Sequence, residues 1–175
     1  MSNRKLKLQE LNRLSADEFK KSEKTPIIIV LDNIRSLNNV GSVFRSADAF
    51  RIEKIYLCGI TAQPPHREIH KTAIGATETV EWEYAEDVLS VVESLKDEYI
   101  TLAIEQAKDS IMLNDYNINS SKKYAIVMGN EVEGVKQEVV DAVDNVIEVP
   151  QIGTKHSLNI SVCTGVVLWE FFKNL

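Results

Sequence analysis

Arg45 stands in the middle of NNVGSVFRSADAF, a run of small and mostly apolar residues at positions 38–50. Its guanidinium is a planar fork of donors suited to phosphate or carboxylate. Asp48 follows three residues later on the same helical face, so an ion pair between the two is the competing structural reading. Asn39 opens the run and can cap a helix there. A second polar group lies in MGNEVEGV, positions 128–135. There Gly129 lets a ligand approach the backbone, Gly134 can end a turn, and Glu131 supplies a carboxylate. The third group is in VPQIGTKHSLNIS, positions 149–161, where Lys155, His156, Ser157 and Asn159 gather before an apolar stretch. A helix start would account for Ser157 or Asn159 as a cap, but needs only one of them. Cys58 and Cys163 sit in apolar segments, and no Cys/His cluster has the spacing of a metal site, so buried thiols and no metal are expected.

The elements that must position these residues are legible from periodicity. IIIVL (27–31) is a continuous β-branched run, as in a strand buried on both faces. KIYLCG (54–59), YITLAI (99–104), YAIVMG (124–129) and NVIEVP (145–150) read the same way, and the alternating TVEWEY (79–84) reads as an edge strand. Helical patterns fall between them, at 39–50, 86–97, 135–143 and 158–173. Strands alternating with helices imply an α/β fold, a mostly parallel sheet with helices on both faces. Ligands of such sheets bind beyond the carboxyl ends of the strands, where all three polar groups fall. Neither a dinucleotide-binding glycine fingerprint nor a P-loop is present, which disfavours an ordinary nucleotide site.

The chain has 175 residues, 44% of them apolar and 26% charged, and a net charge of −6. That is the composition and length of one globular domain. The longest apolar runs are about five residues, far too short to span a membrane, and the start lacks a signal-peptide core, so a soluble cytoplasmic protein is expected. Residues 1–24 carry seven basic against four acidic side chains, a net of +3, leaving −9 for the rest. The asymmetry fits a basic arm on an acidic body. Leu6, Leu8, Leu11 and Leu14 predict a helix in that arm, and the Ser15-x-x-Glu18 capping box predicts a second one.

Taken together, in their order and spacing, NNVGSVFRSADAF, IVMGNEVEGV and VPQIGTKHSLNISVCTGVVLWE resemble the three motifs of the SpoU/TrmH branch of the SPOUT methyltransferases. The resemblance runs from about residue 26 to 173. It implies residues 25–175 as a SPOUT methyltransferase domain behind an arm of residues 1–24, with a C-terminal trefoil knot. It implies S-adenosylmethionine as cofactor, held mainly by backbone groups at Gly129, Val149 and Leu158, and transfer of its methyl group to a ribose 2′-hydroxyl of RNA. Arg45 matches the family's essential arginine and Asn39 its first-motif asparagine. Glu131, Ser157 and Asn159 match the polar residues of the other motifs. The expected partners are RNA, with tRNA slightly favoured over rRNA, and a second copy of the chain in a homodimer. The rival reading is a non-catalytic RNA-binding module that retains the fold. Against it, a binding module needs basic charge but not this polar set.

Overall fold

The computed structural model describes residues 3–175, apart from the side chain of Leu8. Seven strands build one sheet: β1 (Thr25–Asp32), β2 (Ile52–Cys58), β3 (Glu81–Ala85), β4 (Ile100–Ile104), β5 (Ile111–Met112), β6 (Tyr124–Met128) and β7 (Asn145–Glu148). Their order is β3-β2-β1-β6-β4-β7-β5, and every neighbouring pair is parallel. The predicted edge strand is β3. Its outward acids Glu81 and Glu83 pair with Lys54 of β2 at 2.9 and 3.4 Å.

The central strands alternate between two cores. Ile27, Ile29 and Leu31 of β1 and Tyr124, Ile126 and Met128 of β6 face one core. Ile28, Val30, Ala125 and Val127 face the other. The first core is closed by α2 (Leu37–Ala49), α3 (Arg67–Ala73), α4 (Ala76–Thr79) and α7 (Ile160–Phe172). The second is closed by α5 (Val88–Leu95) and α6 (Gln137–Ala142). Burial on both faces is why these strands read as continuous apolar runs rather than alternating ones.

The amino-terminal segment departs from expectation. No helix forms along Leu6, Leu8, Leu11 and Leu14. A single 3-10 turn covers Leu8–Leu11 and ends at Asn12, whose φ of 46° is left-handed. Leu6, Leu11 and Leu14 are exposed, so no apolar face is buried to offset the cost of helix nucleation, and the Leu8 side chain lies outside the described residues. The Ser15–Glu18 capping box does form: the Ser15 amide donates to Glu18 at 2.8 Å and starts α1 (Ala16–Lys21), which buries Phe19 against the first core.

α3, α4 and the two-residue β5 escape sequence reading, being shorter than a clear periodic signal needs. α3 nevertheless matters to α2. Gly41 of α2 packs so closely that a Cβ there would lie 2.3 Å from the Ile69 carbonyl oxygen and 2.1 Å from Thr72 Oγ1. The Thr72 hydroxyl donates to the Asn38 carbonyl at 3.0 Å. Among the described residues no helix is long and apolar enough to cross a membrane.

Candidate functional site

The strand order reverses its direction of growth when the chain leaves β3 at one edge and returns through β4, β6 and β7 on the other side of β1. Beyond the carboxyl ends of β4, β6 and β7 lies a cleft of about 550 Å³. That is within the range of small-molecule and cofactor sites. Its floor is apolar, from Ile104, Met128, Val149 and Ile160, and its walls are the segments 129–134 and 156–159.

The wall after β6 is shaped by turn chemistry. Asn130 is buried, and its side-chain oxygen accepts the amides of Val132 (3.0 Å) and Glu133 (2.9 Å). The Gly134 amide closes the turn onto the Asn130 carbonyl at 3.0 Å, with Gly134 at φ +69°. Gly129 lines the cleft, but the reason for glycine there is within the chain: a Cβ would lie 2.1 Å from the Gly134 carbonyl carbon and 2.3 Å from the Val135 nitrogen. Close approach of backbone to backbone is what demands it.

At the mouth of the cleft three residues far apart in the chain form one relay. The Asn159 amide group donates to Asn39 Oδ1 at 3.1 Å, and Asn39 Nδ2 donates to Glu131 Oε1 at 2.9 Å. Asn159 also caps α7, accepting the Ser161 amide at 3.0 Å. Asn39, by contrast, caps nothing. α2 begins two residues earlier, and its cap is Ser36, which accepts the Asn39 amide at 3.3 Å. The Asn39 side chain is thereby free to reach across to the other two motifs.

Of the residues singled out from sequence, Gly129, Glu131, Val149, Ser157, Leu158 and Asn159 all line the cleft, and Asn39 is tied to its rim. Arg45 does not line it. Arg45 follows Asn39 by six residues, about 9 Å along the axis and on a different face of α2. It shares a stripe with Gly41 and Asp48, the side that packs on α3 and α4. Asp48 is not its ion-pair partner: the carboxylate accepts the Thr79 hydroxyl of α4, and Arg45 is exposed without an ion pair among the described residues.

Sequence reading passed over Glu105 and Gln106, the first residues after β4. The Glu105 carboxylate accepts the amides of Val135 and Gln106, each at 2.8 Å. Gln106 donates to the His156 carbonyl. The signal for both was their place at the ligand end of a predicted parallel strand. Cys163 lines the same cleft as a free thiol, pushed up to about 11 by burial and then by the nearby Glu105. No cluster of metal-ligating side chains is present among the described residues.

An all-parallel α/β sheet with its cleft walled by the segments after β6 and β7 is the architecture of the knotted SPOUT class, and solved structures share it. The A. aeolicus TrmH/SpoU tRNA modifying enzyme superposes with a TM-score of 0.78 at 25% identity, over 89% of this chain and 78% of that one. An AdoMet-bound rRNA methyltransferase from Sinorhizobium meliloti gives a TM-score of 0.80 at 24% identity, over 90% of this chain and 60% of that one. Residues 26–169 match the SpoU rRNA Methylase family, and the chain belongs to that family. A curated relative, the 23S rRNA (guanosine-2′-O-)-methyltransferase RlmB of Vibrio parahaemolyticus, is 28% identical over 165 residues, 93% of this chain. This chain spans 65% of the length of that relative.

Proposed function

We propose that this protein is an S-adenosylmethionine-dependent methyltransferase acting on a ribose 2′-hydroxyl of RNA, working as a homodimer. The observation that carries the reading is the Asn159–Asn39–Glu131 relay at the mouth of the cleft. It joins all three motif segments at the carboxyl ends of the strands, where a methyl donor and a nucleotide would have to meet. The cleft fits the cofactor. Apolar side chains of Ile104, Met128, Val149 and Leu158 can take an adenine, and the backbone of the turn 129–134 offers polar edges. S-adenosylmethionine supplies a methyl group already activated by its sulfonium sulfur, so the protein's task is positioning and charge stabilisation.

Arg45 is the residue for the RNA. A guanidinium is too weak an acid to serve readily as a base. Its role is to orient phosphate and ribose and to stabilise negative charge developing on the attacking oxygen. Because Arg45 is exposed and does not line this chain's own cleft, the RNA, or the cleft of a second copy, has to come to it. A surface for that copy exists on α7. Val162, Val166, Trp169 and Phe172 are all exposed along one side, and a Cβ at Gly165 would meet nothing within 4 Å. The remaining apolar residues of that helix, Val167, Leu168 and Phe171, are spent on the chain's own core.

The test is transfer of tritiated methyl from S-adenosylmethionine to bulk tRNA and to rRNA lacking the modification, followed by mapping of 2′-O-methyl sites. Label in either RNA at a ribose 2′-oxygen supports the proposal, and the RNA labelled decides the substrate. RNA binding without transfer, in protein that binds S-adenosylhomocysteine, would favour a non-catalytic RNA-binding module instead.

A further inference from the structure

We infer that Glu105 is the cleft's acceptor for the paired 2′- and 3′-hydroxyls of the cofactor's ribose, an inference that rests on the cofactor reading above. The three motifs offer mainly backbone and apolar surface there, and their two acids, Glu131 and Glu133, are exposed on the wall after β6 rather than set at the end of a strand. The structure supplies an acid so placed from outside the motifs. Glu105 ends β4, and its amide is anchored on the Ile147 carbonyl of β7 at 3.0 Å, so its backbone is fixed by the sheet itself. Its carboxylate lines the cleft and is held by two backbone amides, one on each oxygen: Gln106 on Oε1 and Val135 on Oε2, both at 2.8 Å.

A carboxylate only accepts, and each oxygen takes more than one hydrogen bond. Two amides therefore fix its orientation while leaving acceptor capacity on both oxygens. A vicinal diol is the complementary donor, with two hydroxyls for two oxygens. The other acids lining the cleft are placed differently. Glu131 is engaged by Asn39 at the mouth, and Glu133 lies at the exposed tip of the turn. Of these acids Glu105 alone sits half-buried at the end of a strand, next to Ile104 of the apolar floor. The packing protects that position. A side chain at residue 134 would put its Cβ 2.0 Å from Glu105 Oε2, so Gly134 is the space in which the carboxylate lies. Gln106, through the His156 carbonyl, ties the opposite wall to the same strand end.

Calorimetric titration tests this with S-adenosylhomocysteine, with its 2′-deoxy and 3′-deoxy analogues, and with 5′-methylthioadenosine, which keeps the ribose but lacks the amino acid. Wild-type protein is expected to bind each deoxy analogue roughly tenfold or more weakly than the parent, the size of a lost hydrogen bond to a charged group. Glu105→Gln should bind S-adenosylhomocysteine and 5′-methylthioadenosine more weakly by a similar factor and should discriminate much less between parent and deoxy ligands. Its melting temperature without ligand controls for damage to the turn. Should the variant fail to fold, the wild-type comparison still decides: equal affinity for parent and deoxy analogues overturns the inference. So does a Glu105→Gln protein that weakens S-adenosylhomocysteine but not 5′-methylthioadenosine, which would assign the carboxylate to the amino group. Absence of any S-adenosylhomocysteine binding by wild type would instead overturn the cofactor reading on which the inference stands.

Discussion

Arg45 and Asp48 lie on one stripe of α2 yet belong to different interactions, and that separates the consequences of removing them. Asp48 ties α2 to α4 through the Thr79 hydroxyl, whereas Arg45 is exposed and holds no partner among the described residues. Arg45→Ala is therefore expected to melt within about a degree of wild type, to bind S-adenosylhomocysteine normally, and to lose roughly two to three decades of methyl transfer, about 2–4 kcal/mol of transition-state stabilisation. Arg45→Lys should recover little, since a point charge does not replace a planar fork. Asp48→Ala should do the reverse, losing about 1 kcal/mol of stability and little activity. Near wild-type turnover by folded Arg45→Ala would remove Arg45 from the mechanism. A second residue-scale prediction concerns Asp32, at the end of β1 and 1% exposed. Burial pushes its carboxyl above the ordinary range, with Lys136 pulling it back and Asp87 and Glu138 adding to the rise. As pH rises through the ordinary carboxyl range the unfolded chain gives up this proton first, so folding stability falls until the raised folded-state value is passed. Asp32→Asn should consequently melt higher than wild type at neutral pH, with the advantage shrinking as pH is lowered toward about pH 4. A lower melting temperature at neutral pH would mean that the charge is stabilised by its surroundings.

At the scale of elements, the contact of α2 with α3 decides where the first motif is held. In an exposed helix interior, Gly→Ala stabilises by about 1 kcal/mol. Gly41→Ala is expected to have the opposite sign, because its Cβ would fall 2.3 Å from a backbone oxygen of Ile69, which cannot rotate away as a side-chain end can. The helices would have to separate, at roughly 1–3 kcal/mol for an overpacked site. The same displacement would draw Asn39 from Glu131 and Asn159, so activity should fall by more than the loss of folded protein explains. Thermal melting and methyl transfer measured on the same preparation check both halves. A Gly41→Ala protein more stable than wild type would show the α2–α3 contact to be loose.

For the whole molecule, the unpartnered side of α7 bears on assembly. Phe50 of the α2 end packs in tilted contact with Phe172 at 5.3 Å and with Trp169 at 6.4 Å between ring centroids, so the aromatic end of this surface is organised within one chain. Isologous pairing of such a surface with itself is the simplest way to cover it. Light scattering of the wild type at micromolar concentration is expected to give the mass of a dimer. Val166→Glu, at an exposed position beside Gly165, should give a folded monomer with greatly reduced methyl transfer. A monomeric wild type that transfers methyl would refute the dimer and, with it, any contribution of Arg45 to a second copy's cleft.

What the sequence by itself determined is local or periodic. Unbroken β-branched runs specified strands buried on both faces, since only a sheet covered on both sides tolerates them. The Ser15–Glu18 box set the start of α1, because its chemistry is complete within four residues. The three motifs, read in order, identified the family, and it is the structure that shows Gly129, Glu131, Val149, Ser157, Leu158 and Asn159 lining one cleft. Contacts over long chain separation were decided only by the tertiary structure. Ser36 and Asn39 are both able to cap a helix, and nothing in the sequence shows that the Asn39 side chain is engaged instead by Glu131 and Asn159, from 92 and 120 residues away. The Leu6–Leu14 stripe did not become a helix, since periodicity offers an apolar face but only tertiary contact can bury it. Glu105 ends an ordinary strand and belongs to no motif. It becomes part of the cleft because β6 and β7 enter the sheet on either side of β4, and the turn carried by β6 lays the Val135 amide against its carboxylate.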